Sequence, residues 1–245
     1  MAYGLTGALV AGDTNLYHQP ETIGTGTRYG VLLHHGAGDT YAALDTTKLL
    51  HALVDNLKLP VLSGNWGGTQ TWANATNQTA LDAGWTYLKA QPRVNTSKVI
   101  LVGVSMGFAC LHKWARNNTS KVLAVVGIVP AVDADDIYNN DRPIPTGGIK
   151  AGMDAAWSGN YLANGSATAN PSHTGNPAVL ASIPGLIVNS SGDTTVIPST
   201  VTAFITAVGG SLWSAVRPSD DGDPHNYVPS LMDPAPVLDF LAKYI

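Results

Sequence analysis

The five residues Gly103-Val104-Ser105-Met106-Gly107 follow the pattern Gly-x-Ser-x-Gly, and the chemistry they can carry is nucleophilic attack by a serine hydroxyl. The motif ends the apolar run Val99 to Val104. It leads into a stretch in which Cys110 and Trp114, like Leu111 and Ala115, recur one helical turn apart. A strand that turns sharply into a helix strains the residue at the corner and crowds its neighbours. Glycine is therefore needed two positions before and after the serine, whose oxygen is left projecting at the top of a sheet. Five-residue motifs also arise by chance in a chain with 26 glycines, so the strand before and the helix after give this one its meaning. A serine hydroxyl needs an adjacent base, and the base an orienting acid.

The elements that must position such groups are legible as apolar runs. Tyr29 to Leu33, Val99 to Val104, Val122 to Val129 and Leu186 to Val188 are nearly continuous rather than alternating, which predicts strands of a parallel sheet buried on both faces. Leu49, Leu50, Leu53, Val54 and Leu57 mark one stripe of a helix that stops before Pro60, and Pro60 to Leu62 reads as a short strand. Ala80 to Ala90, with Leu81, Trp85 and Leu88, reads as a second crossover helix, and Ala235 to Lys243 as the last helix. The expected architecture is a mostly parallel α/β sheet flanked by helices, with ligands beyond the carboxyl ends of its strands. Residues 1 to 28 predict antiparallel edge strands. Residues 131 to 180, rich in Asp, Asn, Gly, Pro and Ser, are too long for a structureless loop. They are expected to form a small, partly helical lid inserted into one domain spanning 1 to 245.

With these elements in place, the chain resembles an α/β-hydrolase of the serine esterase, lipase and carboxylesterase type, from about Tyr29 to the C-terminus and most weakly in the lid. The resemblance implies a triad in the chain order Ser, acid, His. The turn Gly192-Asp193-Thr194-Thr195-Val196-Ile197-Pro198, after the strand that follows the lid, resembles the family's acid-bearing turn and points to Asp193. Asp133, Asp135 and Asp136, after an earlier strand, are the runner-up, with a plain alternative as solvated charges or a helix cap. His225 is the one histidine after Asp193, in Asp221-Gly222-Asp223-Pro224-His225-Asn226-Tyr227; it would take the Ser105 proton while Asp193 holds its tautomer. An oxyanion hole is built from backbone N–H groups and so reads as Gly-rich sequence. Leu32-Leu33-His34-His35-Gly36-Ala37-Gly38 resembles the family's His-Gly-x-Gly loop and assigns the two donors to Ala37 and Met106, with Gly36 and Gly38 one register away.

Trp66 and His35 are the candidate substrate-binding residues, Trp66 with ordinary packing as its equal alternative. His34 and His35 suggest a metal pair, but adjacent strand residues face opposite sides, so both are read as loop-shaping and no metal is expected. Cys110 and His112, on the helix behind Ser105, are read as core or surface residues. The chain has 245 residues, which suits one α/β unit, and 12% charged residues with a net charge of -4. That balance gives no basic surface for nucleic acid. A single cysteine excludes an internal disulfide and a thiolate-rich zinc site. Met1 to Val10 lacks the features of a signal peptide, and no apolar run approaches the roughly 20 residues of a membrane span, so a soluble protein is expected, its compartment left open between cytoplasmic and phage-associated. The resemblance implies a cofactor-free serine hydrolase cleaving a small-molecule or lipid-like carboxylic ester through an acyl-enzyme. The alternatives are a thioesterase, peptidase or perhydrolase on the same framework, or a non-catalytic virion or cell-surface binding module.

Overall fold

Apolar residues at consecutive positions of a strand face opposite sides, so runs such as Val31-Leu32-Leu33 and Ile100-Leu101-Val102 need cover on both. The computed structural model describes residues 4–10, 13–20, 26–45, 47–142, 149–217, 225 and 233–245. Its strands β1 (Gly4–Val10), β2 (Asp13–Gln19), β3 (Arg28–His34), β4 (Val61–Gly64), β5 (Val94–Val104), β6 (Val122–Ile128), β7 (Gly185–Val188) and β8 (Trp213–Val216) form one sheet. Its order is β1-β2-β4-β3-β5-β6-β7-β8. From β4 through β8 neighbouring strands are parallel, and β2 runs antiparallel to β1 and to β4. The N-terminal segment thus supplies the antiparallel edge.

The helices, in chain order, are α1 (Ala42–Asp45), α2 (Lys48–Asp55), α3 (Ala75–Ala90), α4 (Met106–Asn117), α5 (Ala134–Asn139), α6 (Ile149–Ala156), α7 (Tyr161–Asn164), α8 (Ser166–Ala169), α9 (Pro198–Val208) and α10 (Ala235–Leu241). Leu32, Leu62, Leu101, Val125 and Ile187 bury one sheet face in a cluster with Leu81 and Leu88 of α3, Phe108 and Leu111 of α4, and Phe204 of α9. Val31, Leu33, Ile100, Val102, Val126 and Val188 bury the other with Leu49 and Leu53 of α2 and Val237 and Phe240 of α10. Helix α3 starts five positions before the apolar periodicity at Ala80. Its first turn is set by the Asn74 side chain, which accepts from the Asn77 amide at 2.9 Å.

Between β6 and β7 the chain forms α5 to α8 and a 3-10 turn at Pro177–Leu180. This segment is tied to α4, the helix that begins just after Ser105. Arg116 donates to Thr168 O and Asn176 Oδ1, and Trp157 Nε1 donates to Trp72 O at 2.9 Å. Lys113 lies 4.8 Å from the Trp157 ring centroid and donates to Ala73 O at 2.9 Å. No helix among the described residues is long and apolar enough to cross a membrane.

His112 of α4 is fully buried between Phe108 and Phe204, and neither ring nitrogen has a hydrogen-bond partner among the described residues. Burial, with Arg116 adding to it, lowers its pKa well below 6.5, so the folded ring is neutral. Below pH 6.5 the unfolded chain takes up a proton that the folded one refuses, so stability falls as pH falls through this region. Replacing His112 by Phe removes an unsatisfied buried ring of similar shape. The variant is expected to gain about 1 kcal/mol at neutral pH and to lose less than the parent on acidification, which a series of melting temperatures against pH would show.

Candidate active site

Four strand ends deliver the candidate residues. Ser105 follows β5, Asp193 lies beyond β7, His225 beyond β8, and the His35-Gly36-Ala37-Gly38 loop beyond β3, all at carboxyl ends of parallel strands. Ser105 sits at φ 48°, ψ -117°, a sparsely populated conformation for a residue with a side chain. It is held there on three sides. Its N–H donates to Ile128 O (2.9 Å), and its carbonyl accepts from Phe108 N (3.1 Å) and Ala131 N (3.0 Å). A Cβ at Gly103 would lie 2.6 Å from Phe108 N, and one at Gly107 would lie 2.6 Å from the carbonyl oxygens of both His34 and His35. Close backbone approach therefore demands both glycines of the motif.

The structure brings Ser105, His225 and Asp193 together. Ser105 Oγ lies 2.9 Å from His225 Nε2, and His225 Nδ1 lies 3.0 Å from Asp193 Oδ2 and 3.2 Å from Oδ1. Asp193 Oδ1 also accepts the amides of Thr195 (2.8 Å) and Val196 (2.7 Å), so its orientation does not depend on the histidine. All three residues are buried, with relative exposures of 5%, 7% and 3% for Ser105, His225 and Asp193. Residues 218–224 and 226–232, on either side of His225 in the chain, lie outside the described residues. The earlier carboxylates are engaged elsewhere. Asp133 caps α5 by accepting from Asp136 N (3.1 Å), Asp135 accepts from Tyr161 (2.9 Å) and Ser166 (2.6 Å), and Asp136 pairs with Arg142 (3.2 Å).

The loop after β3 packs against the serine: a Cβ at Gly36 would lie 3.5 Å from Ser105 Cβ. The Gly38 N–H donates to Thr69 O at 2.8 Å, which engages one of the three amides in Gly36–Gly38. Met106 is the first residue of α4, where a helix amide has no intrahelical acceptor. His35 is buried, with Nδ1 at 2.7 Å from Gly36 O and Nε2 at 3.1 Å from Asn65 O.

Two expectations are corrected by the tertiary structure. Of the two readings of Trp66, the structure takes packing over substrate contact: it is 0% exposed, donates from Nε1 to Leu33 O at 2.8 Å, and packs where a Cβ at Gly84 would meet its ring at 2.4 Å. The missing side chain at Gly84 makes room for the indole in the core. His34 and His35 do not face opposite ways, since their ring centroids are 4.9 Å apart. β3 ends at His34, so strand alternation no longer governs His35. Cys110 is buried in the core, and burial raises its thiol to about 11, which keeps it protonated and unreactive at neutral pH. Asn77, which stands in the tripeptide Asn77-Gln78-Thr79 but in no pattern that points to this site, is fully buried beside His34.

No protein-family model and no curated protein matches the chain. Solved structures do. A substrate-bound fluorophosphonate-binding serine hydrolase F of Staphylococcus aureus is similar with a TM-score of 0.76 at 14% identity, over 100% of this chain and 98% of that one. A fungal esterase of Rhizomucor miehei is similar with a TM-score of 0.72 at 14% identity, over 99% and 81%. An esterase of Pyrococcus furiosus is similar with a TM-score of 0.66 at 14% identity, over 99% and 91%. The likeness is one of architecture, and the chain has the α/β-hydrolase fold.

Proposed function

We propose that this chain is a serine hydrolase that cleaves carboxylic esters through an acyl-enzyme, with Ser105 as nucleophile, His225 as general base and acid, and Asp193 as the group that orients the imidazole. One observation carries the reading: the continuous contacts Ser105 Oγ to His225 Nε2 (2.9 Å) and His225 Nδ1 to Asp193 Oδ2 (3.0 Å), on a serine held at a strained strand-to-helix corner. The names of the similar structures, a serine hydrolase and esterases, support it.

In this mechanism the Nδ1–H of His225 donates to Asp193, which leaves Nε2 as an acceptor for the Ser105 hydroxyl. As Oγ attacks the ester carbonyl carbon, its proton passes to Nε2 and the carbonyl oxygen becomes an oxyanion. The N–H groups of Ala37 and Met106 hold that oxygen, and the positive end of α4 adds to them. On collapse the C–O bond to the alcohol breaks, Nε2–H protonates the leaving oxygen, and an acyl-serine remains. Water, deprotonated by His225, attacks the acyl carbon; the bond from that carbon to Ser105 Oγ then breaks, Nε2–H returns its proton to Oγ, and the acid is released. In this reading 1–245 is a single domain, 131–180 a small lid, and the substrate a small-molecule or lipid-like ester.

Hydrolysis of a short-chain p-nitrophenyl ester tests the reading. Turnover is expected, and His225→Ala, which removes the group that takes the Ser105 proton, should abolish most of it. An equal loss from His173→Ala, or a turnover that His225→Ala leaves unchanged, would move the base elsewhere. A folded chain that hydrolyses no ester would point to a binding module on the same fold.

A further inference from the structure

Within this hydrolase reading, the oxyanion-binding loop must hold its N–H groups in place before the reaction begins. We propose that Asn77 is the positioning residue for that loop, tying the end of β3 to the 65–69 turn on which the loop rests. Asn77 is 0% exposed. Its Nδ2 donates two hydrogen bonds, to His34 Nε2 at 3.0 Å and to Trp66 O at 2.9 Å. Its Oδ1 accepts from Gln78 Nε2 at 3.0 Å, and Gln78 Nε2 also donates to Cys110 O at 3.1 Å.

The amide can adopt one orientation. Turning it over would set Oδ1 against the Trp66 carbonyl and Nδ2 against an amide nitrogen that Cys110 O already fixes as a donor. Nδ2 is therefore the donor to His34, so Nε2 of His34 carries no hydrogen and Nδ1 does. That Nδ1–H donates to His35 O at 2.9 Å. Burial, and His35 beside it, push the His34 pKa well below 6.5, consistent with a single proton on this ring. In a planar trans peptide the C=O and N–H point in opposite directions. Holding His35 O thus also aims the Gly36 N–H and sets the exit of the loop from the strand, one peptide before the Ala37 N–H.

The second bond acts on the other side of the loop. Through Trp66 O, Asn77 holds the turn in which Trp66 has φ 54°. The loop rests on that turn at three points. Asn65 O faces His35 Nε2 at 3.1 Å, Asn65 Oδ1 accepts from Tyr41 N at 3.1 Å, and Thr69 O accepts from Gly38 N at 2.8 Å. One side chain therefore fixes both the strand end that launches the loop and the turn that supports it. None of its hydrogen bonds runs to Ser105, so it acts on the reaction through the loop alone.

The test compares the parent with Asn77→Asp, which keeps the shape and loses both donors. A donor left in place but misdirected is expected to cost roughly 10- to 100-fold in kcat. KM for the nitrophenyl ester should hardly change, because the hole acts on charge that develops later. The affinity for a trifluoromethyl ketone, whose adduct carries an oxyanion, should fall by the same factor as kcat/KM. An unchanged kcat, or a loss confined to KM, overturns the proposal.

A second pair of variants does not depend on burying a carboxylate. The amide nitrogen of asparagine reaches the position of a histidine Nδ1, and that of glutamine the position of Nε2. His34→Asn keeps a donor for His35 O and His34→Gln does not, so His34→Asn is expected to retain about tenfold more kcat; equal values overturn the proposal. A wild-type chain that neither hydrolyses the ester nor takes up a fluorophosphonate overturns the hydrolase reading and this inference together. A reactive wild type indifferent to Asn77→Asp overturns the inference alone.

Discussion

Ser105→Ala is expected to lower kcat for a p-nitrophenyl ester by roughly 10⁶-fold, because removing the nucleophile of a working triad costs about as much as removing the triad. The chain should still fold, since the contacts that fix this corner run through the Ser105 backbone, to Ile128 O, Phe108 N and Ala131 N. The same serine can be counted directly. An ordinary serine hydroxyl is inert at neutral pH, so reaction with a fluorophosphonate requires both an adjacent base and an oxyanion hole that accepts the tetrahedral adduct. One adduct per chain is expected, at Ser105, and none on heat-denatured protein, because Ser105 and His225 are 120 residues apart and His225 and Asp193 are 32 apart. A label mapped to another serine, or none on the folded chain, would sink the hydrolase reading.

Asp193→Asn should preserve folding and reduce kcat by roughly 10²–10⁴-fold. The carboxylate accepts from two backbone amides and from His225 Nδ1 at once. An amide has a single acceptor atom, which the Thr195 and Val196 N–H groups would claim. Its NH₂ would then face Nδ1 and favour the tautomer that places a hydrogen on Nε2, where it cannot accept the Ser105 proton. Asp133→Asn is the comparison: asparagine caps a helix about as well as aspartate, and Asp133 is occupied with α5, so kcat should be nearly unchanged. A large loss at Asp133 with a small one at Asp193, measured on purified folded variants, would place the acid after β6.

The sequence by itself determined whatever depends on a few neighbouring residues. Gly103 and Gly107 flank Ser105 because a Cβ at either would strike backbone atoms at 2.6 Å, and that constraint is written in five consecutive letters. The parallel sheet was legible for a similar reason, since runs such as Ile100-Leu101-Val102 have to bury side chains on both faces wherever they are placed. Partners distant in the chain were decided by tertiary structure. Trp66, which follows a strand, reads equally as a pocket wall or as packing, and the empty side of Gly84, on a helix packed across the sheet, decides for the core by making room for its indole. The rings of His34 and His35 share one side because β3 ends between them, and a strand ends where its partners stop pairing, which local pattern does not encode. Asn77 belongs to no motif that points to this site. Its bonds to His34, 43 residues away, and to Trp66 exist because α3, β3 and the turn after β4 meet in space. Local sterics are properties of residue types, whereas the direction of a buried polar side chain is set by whichever unsatisfied donors and acceptors the fold brings to it.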